Sequence, residues 1–161
     1  MLDKVSDILD LPMRLGPRPA TTPTNPHTQL EQNAPEHLQH RVAQHMFSLD
    51  CVEEATSLIS VPGARAAVLG NGCAEGPADA FMVAREFCHI HPTSDGSLHL
   101  NLPMDIGRHA IERGWAEQHP LAARGIVPST VVMVYGPRDE SELDIVQRLV
   151  SASHQFAHPQ N

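Results

Sequence analysis

Two alternating runs joined by a short polar turn constrain this chain more than any other stretch: Arg85 to Leu102, REFCHIHPTSDGSLHLNL. In the first run Arg85, Phe87, His89 and His91 share one parity, and Glu86, Cys88 and Ile90 take the other. In the second, Ser97, His99 and Asn101 alternate with Leu98, Leu100 and Leu102. Successive side chains of a strand point to opposite faces, so period-two alternation reads as a half-buried strand. Asp95-Gly96 in the joining segment is a hairpin turn signal, because glycine accepts the positive φ that closes the loop. Closing the loop about Ser94 puts His89 opposite His99 and His91 opposite Ser97. Opposed Cβ atoms lie about 5 Å apart. Three imidazoles then crowd one face while leucines cover the other, and a slip of one residue would separate them.

A chain of 161 residues reads as a single domain, 1–161, with enough material for a core. No run approaches the ~20 apolar residues of a membrane span, so no membrane partner is expected. The formal charge of -8 argues against nucleic acid. Cys51, Cys73 and Cys88 are scattered and odd in number, which reads as free thiols in a reducing, cytoplasmic compartment. The N-terminus is acidic and short, unlike a secretory signal. Eleven histidines stand against one Trp and one Tyr. His37, His40 and His45 fit the exposed side of a polar helix.

Leu2, Val5, Ile8 and Leu9 predict a short amphipathic helix over residues 2–10. Pro12, Pro17, Pro19, Pro23 and Pro26 exclude helix and central strand over 12–26. This segment reads as an ordered, extended arm ending in His27. A helix is expected from Pro35 to Ser48, with Leu38, Val42 and Met46 on one face. Ala55–Val61 and Ala64–Leu69 read as strands about Pro62-Gly63. Pro103 opens a helix that ends near Arg113, with Gly114 as its cap. Residues 115–124 show no period. TVVMVY, Thr130–Tyr135, reads as a buried strand. Asp139 caps a last helix running to Ala157, with Glu142 three residues on. The sum is α+β: a mostly antiparallel sheet of about five strands, covered on one face by helices.

Two chemistries suit the histidine face. His89 and His91, two apart on a strand, with His99 from the next strand, form a three-imidazole set for zinc or a first-row transition metal with an open position. Without a metal, crowded imidazoles cannot all carry charge, so one accepts a proton while a neighbour holds an anion. Arg85 shares the parity of His89 and is placed there as an anion holder. His119 lies in an irregular loop, where functional residues concentrate. Trp115 is a pocket wall or a core residue. The competing reading makes these histidines structural members of a polar sheet face.

The blocks RPATTPTNPHTQLEQ, REFCHIHPTSDGSLHL, GWAEQHPLA and VYGPRDESEL, in this order, resemble the fungal bioluminescence luciferases and their small bacterial luciferase-domain relatives. The resemblance runs from about Leu11 to Ala157, and no counterpart of the fungal enzymes' hydrophobic N-terminal anchor is expected. It implies a shared site more than a shared substrate. Those enzymes oxidise a 3-hydroxy-2-pyrone with O2, so it implies an oxygenase, O2 as co-substrate and no organic cofactor. On this reading His89 or His91 is the base, and His99 and Arg85 hold the enolate or peroxide anion. His119 and His27 close the pocket, with Arg18, Trp115 and Tyr135 on the substrate. The expected partner is a small molecule with an enolisable, aromatic or pyrone-like ring, and a homodimer stays open. A metal-dependent oxygenase or hydrolase using His89, His91 and His99 is the alternative, and a small-molecule binder without turnover is the other class.

Overall fold

The structure, a computed structural model, describes residues 10–160. The expected helix over residues 2–10 therefore lies essentially outside the described residues. The sheet is built around the predicted hairpin, β3 (Glu86–Ile90) and β4 (Leu98–Asn101), with His89 opposite His99 and Cys88 opposite Leu100. The Asp95 and Gly96 amides both donate to the Pro92 carbonyl, at 2.8 and 3.0 Å. Gly96 is required twice over. Its φ is +76°, and a Cβ there would lie 2.4 Å from the Gln39 amide nitrogen.

Four more strands complete the sheet: β1 (Val52–Thr56), β2 (Arg65–Leu69), β5 (Ala116–Gln118) and β6 (Val131–Val134). All six pair antiparallel in the order β1-β2-β3-β4-β6-β5. The helices are α1 (Glu36–Ser48), α2 (Met104–Glu112), α3 (Pro120–Ala123) and α4 (Glu140–Ala157). Helix α4 lies across β3 and β4 and carries α1 on its side. Leu98, Leu100, Val132, Val134, Leu143, Val146, Leu149 and Val150 are almost fully buried in this layer. The α+β expectation holds, with one strand more than expected.

Local chemistry sets the helix ends. Gly114, at φ +87°, ends α2: its amide reaches the Ile111 carbonyl at 3.0 Å and the Trp115 amide reaches the Ala110 carbonyl at 2.9 Å. That paired closure is the Schellman arrangement. Asp139 Oδ1 accepts from the Glu142 amide at 2.9 Å and caps α4. Glu142 turns instead to Arg138, backbone and side chain.

Three expectations are corrected. The strand expected over 55–61 stops at Thr56, because Ser57 and the Leu58 amide leave the ladder to hydrogen-bond the buried Glu86 carboxylate. Residues 115–124, without a readable period, hold β5 and α3, each too short to show one. Cys51 and Cys73 form a disulfide, Cα atoms 6.3 Å apart, and only Cys88 is a free thiol, so the argument for a reducing compartment loses its footing. Among the described residues no helix is long and apolar enough to cross a membrane.

Candidate active site

A bulge in β3 decides what faces the histidines. Ala67 pairs with Cys88, but Val68 pairs with Glu86, which leaves Phe87 as an extra residue. A bulge of this kind shifts the parity of everything before it. Phe87 is thereby buried toward α4, and its ring lies 6.0 Å from that of His154. Glu86 turns to the histidine face, where its Oε2 lies 2.8 Å from His89 Nδ1. Arg85 is carried away from that face. It donates to the Leu69, Gly70 and Cys73 carbonyls and to Glu75. Its expected place among the histidines is therefore corrected: the alternation was sound only from Cys88 onward.

The arm brings in the next ring. Residues 20–30 fold into a tight loop, with the Thr22 amide on the Thr28 carbonyl and the Leu30 amide on the Ala20 carbonyl. Asn25-Pro26 is cis within it. The loop sets His27 Nδ1 2.9 Å from His99 Nε2. His99 Nδ1 in turn lies 3.1 Å from His89 Nε2. At the far end His27 Nε2 meets Glu117 Oε2 at 2.9 Å. Centroids of these ring pairs are 5.0 and 5.1 Å apart, close to the N···N distance plus two ring radii, so the rings meet end to end. The result is one line, Glu117–His27–His99–His89–Glu86, with every histidine in it at most 4% exposed.

Two more imidazoles flank His99. The His91 centroid lies 4.7 Å away and that of His119 4.4 Å. His91 Nδ1 contacts Ser97 Oγ at 2.9 Å and Asp95 Oδ2 at 3.1 Å, so it donates and leaves Nε2 with a lone pair. His119 Nδ1 accepts from the Leu121 amide at 3.0 Å and caps α3, so its proton is on Nε2. Both rings line a chamber of about 30 Å³ between the arm, Val61 and Met82. That is room for one water-sized molecule.

The charge balance follows from counting. Both ends of the line are carboxylates. Burial pushes Glu86 up, but hydrogen bonds from His89, Ser57 and the Leu58 amide prevail and hold it below its ordinary value. Burial opposes Glu117 too, and His27, Tyr135 and Thr21 likewise bring it down. Asp95 follows the same pattern through His91 and Ser97. The line has four contacts and each needs one proton. Three neutral imidazoles supply three, so with both carboxylates ionised the line holds one proton more. Burial, then repulsion from His89, His91, His119 and His27, drives His99 well below its ordinary value. Burial lowers His89 despite the Glu86 hydrogen bond.

The other expected site residues are placed as follows. Arg18 Nη1 donates to the Ala116 carbonyl at 2.8 Å and approaches Tyr135 OH at 3.5 Å; its Nη2 reaches the Ile111 carbonyl. Tyr135 OH donates to Glu117 Oε1 at 2.8 Å. Trp115 is 4% exposed in the core, with Nε1 donating to the Pro12 carbonyl at 2.7 Å, which favours the core reading over the pocket wall. The carboxylates Glu86, Asp95 and Glu117 were not picked out from sequence. The bulge hid Glu86, Asp95 read as a turn residue, and Glu117 sits on a three-residue strand.

Residues 84–153 match the family described as Luciferase domain. Over 71 residues the chain is 38% identical to proteins named luciferase from Armillaria gallica, Armillaria mellea and Neonothopanus nambi. That stretch covers 43% of this chain and 27% of each relative, so the chain spans about a quarter of the length of the curated relatives it matches. The arm block RPATTPTNPHTQLEQ lies outside residues 84–153. No solved structure matches. The matched stretch takes in His89, His91, Asp95, His99, Glu117 and His119, and over it the chain is similar to the luciferase domain.

Proposed function

We propose that this chain is a luciferase-like enzyme that oxidises an enolisable, aromatic or pyrone-like small molecule with O2, using the histidine line for proton transfer and no organic cofactor. The observation that carries this is the end-to-end line from Glu117 to Glu86. Its four contacts call for one proton more than three neutral imidazoles carry, and its three rings are buried. Ground-state O2 reacts poorly with closed-shell organic molecules. An enolate is electron-rich enough to pass an electron to it. The enol O–H breaks, its proton enters the line, and the enolate and O2 combine as a peroxide anion. The chain's part is to accept the proton and to hold the anion with Arg18 and the Tyr135 hydroxyl.

The distances favour proton transfer over a metal within the line. Two ligand nitrogens on a tetrahedral zinc, each at about 2.0 Å, stand about 3.3 Å apart. End-to-end nitrogens sharing an ion would be farther apart still. The 2.9 and 3.1 Å observed are N–H···N distances. One observation favours a metal as a second reading: single nitrogens of His89, His91 and His99 lie within 4.8 Å of one another. Glu86 and Asp95 also back His89 and His91 as carboxylates back metal-bound histidines.

Oxygen uptake with a 3-hydroxy-2-pyrone tests the proposal. Wild-type protein should consume O2, and His99→Gln, which interrupts the line at its middle, should be slower by about two to four decades. Thermal melting of the variant separates lost function from lost fold. An unchanged rate in folded His99→Gln refutes the line as the proton path.

A further inference from the structure

The chamber beside His91 and His119 is too small for an aromatic ring, so a substrate needs another place that still touches the line. One cavity meets that requirement. It lies at the β5 edge against α2, has a volume of about 610 Å³, and includes Glu117 in its lining. Ligand sites for drug-sized molecules run from roughly 300 to 1,000 Å³. Leu102, Ile111 and Val132 give it apolar walls, and Gly107 leaves one wall without a side chain. Glu117, the Tyr135 hydroxyl and Arg18 are hydrogen-bonded together in its lining, which also includes the polar side chains of Arg108, Glu112, Gln118, Ser129 and Thr130.

We propose that this edge cavity is the small-molecule site, and that it takes a flat enol or phenol whose hydroxyl donates to the Glu117 carboxylate. The inference rests on the functional reading above and adds where, and through which atom, the substrate meets the line. Glu117 already accepts from Tyr135 and Thr21 on Oε1 and from His27 and Thr21 on Oε2. Its side chain is 27% exposed, which leaves it an approach from the cavity. A carboxylate kept ionised selects a ligand that donates and rejects one that arrives as a carboxylate. Once the hydroxyl proton has passed to Glu117, the oxyanion left behind faces Arg18 and the Tyr135 hydroxyl. Arg18 cannot swing away freely, because backbone carbonyls of Ala116 and Ile111 hold its guanidinium. Tyr135 stays protonated as a donor: burial pushes it up to about 12. Glu117 is thus the one side chain shared by the cavity and the histidine line.

Fluorescence titration under argon tests this without turnover, with 7-hydroxycoumarin and 7-methoxycoumarin as probes. The hydroxyl probe should bind the wild type at least about tenfold more tightly than the methoxy probe, since the ether cannot donate. Glu117→Gln should erase that preference. Gly107→Leu should abolish binding of both: a Cβ there has ordinary room, its nearest neighbours 3.8 Å off, while the larger side chain enters the cavity. His99→Gln should bind the hydroxyl probe as the wild type does, even though its oxygen uptake should be slowed. The outcomes separate the two claims. Binding that ignores Gly107→Leu, equal affinity for both probes, or no binding at millimolar probe overturns the edge-cavity site. Unchanged oxygen uptake in His99→Gln overturns the proton line and leaves the binding result standing.

Discussion

His119 shows how a single ring acquires its chemistry here. Burial, then the neighbouring His27, His89 and His91, lowers it to about 4. The free side chain titrates near 6.5. A histidine whose folded value is depressed binds its proton more readily when unfolded, so its contribution to stability is present above about 6.5 and is lost as pH falls toward about 4. His99 and His89 shift the same way. The lowered carboxyls of Glu86, Asp95 and Glu117 withdraw their share below about 4.5, as pH falls through their folded values. Melting temperature should therefore fall steadily from pH 7 to pH 4. The His119 ring protons should titrate in NMR with a midpoint near 4; a midpoint near 6.5 would place the ring in water. Glu86→Gln gives the other residue-level test. A neutral amide cannot balance the line's proton and presents N–H where only acceptors fit, so the change should cost about 1–3 kcal/mol of stability.

The hairpin shows what an element's sequence discloses and what it hides. Its register and turn were readable because leucine, histidine and Asp-Gly recur at fixed parity. The Phe87 bulge was not, since one inserted residue leaves no mark on composition. It exchanged Arg85 for Glu86 at the site and so set a carboxylate, not a guanidinium, beside His89. The arm's delivery of His27 was readable from the proline run ending in histidine. Glu117 was not, because three residues carry no period. The leucine face makes its own prediction. Leu100 is fully buried under α4, so Leu100→Ala should cost about 2–5 kcal/mol by denaturant unfolding. The disulfide closes a separation of 22 residues, and Cys51→Ser with Cys73→Ser should cost about 2–4 kcal/mol. Unreduced, denatured protein should titrate with a single thiol, Cys88; three thiols would return the cysteines to the reading made from spacing.

At the scale of the whole molecule, the sheet divides labour between its faces. Helices and leucines on one side hold the strands rigid. The arm, the 57–61 loop and α3 roof the other side over five imidazoles, each at most 8% exposed. The line of rings crosses this dry layer from the β3 bulge to the β5 edge, where the large cavity opens. Metal quantification of protein purified without chelator or affinity tag, run alongside oxygen uptake, tests this account most directly. The account predicts metal well below one equivalent per chain and an uptake rate that chelator treatment leaves unchanged. One equivalent of a first-row metal, whose removal abolishes uptake and whose return restores it, would contradict it and make His89, His91 and His99 a metal centre.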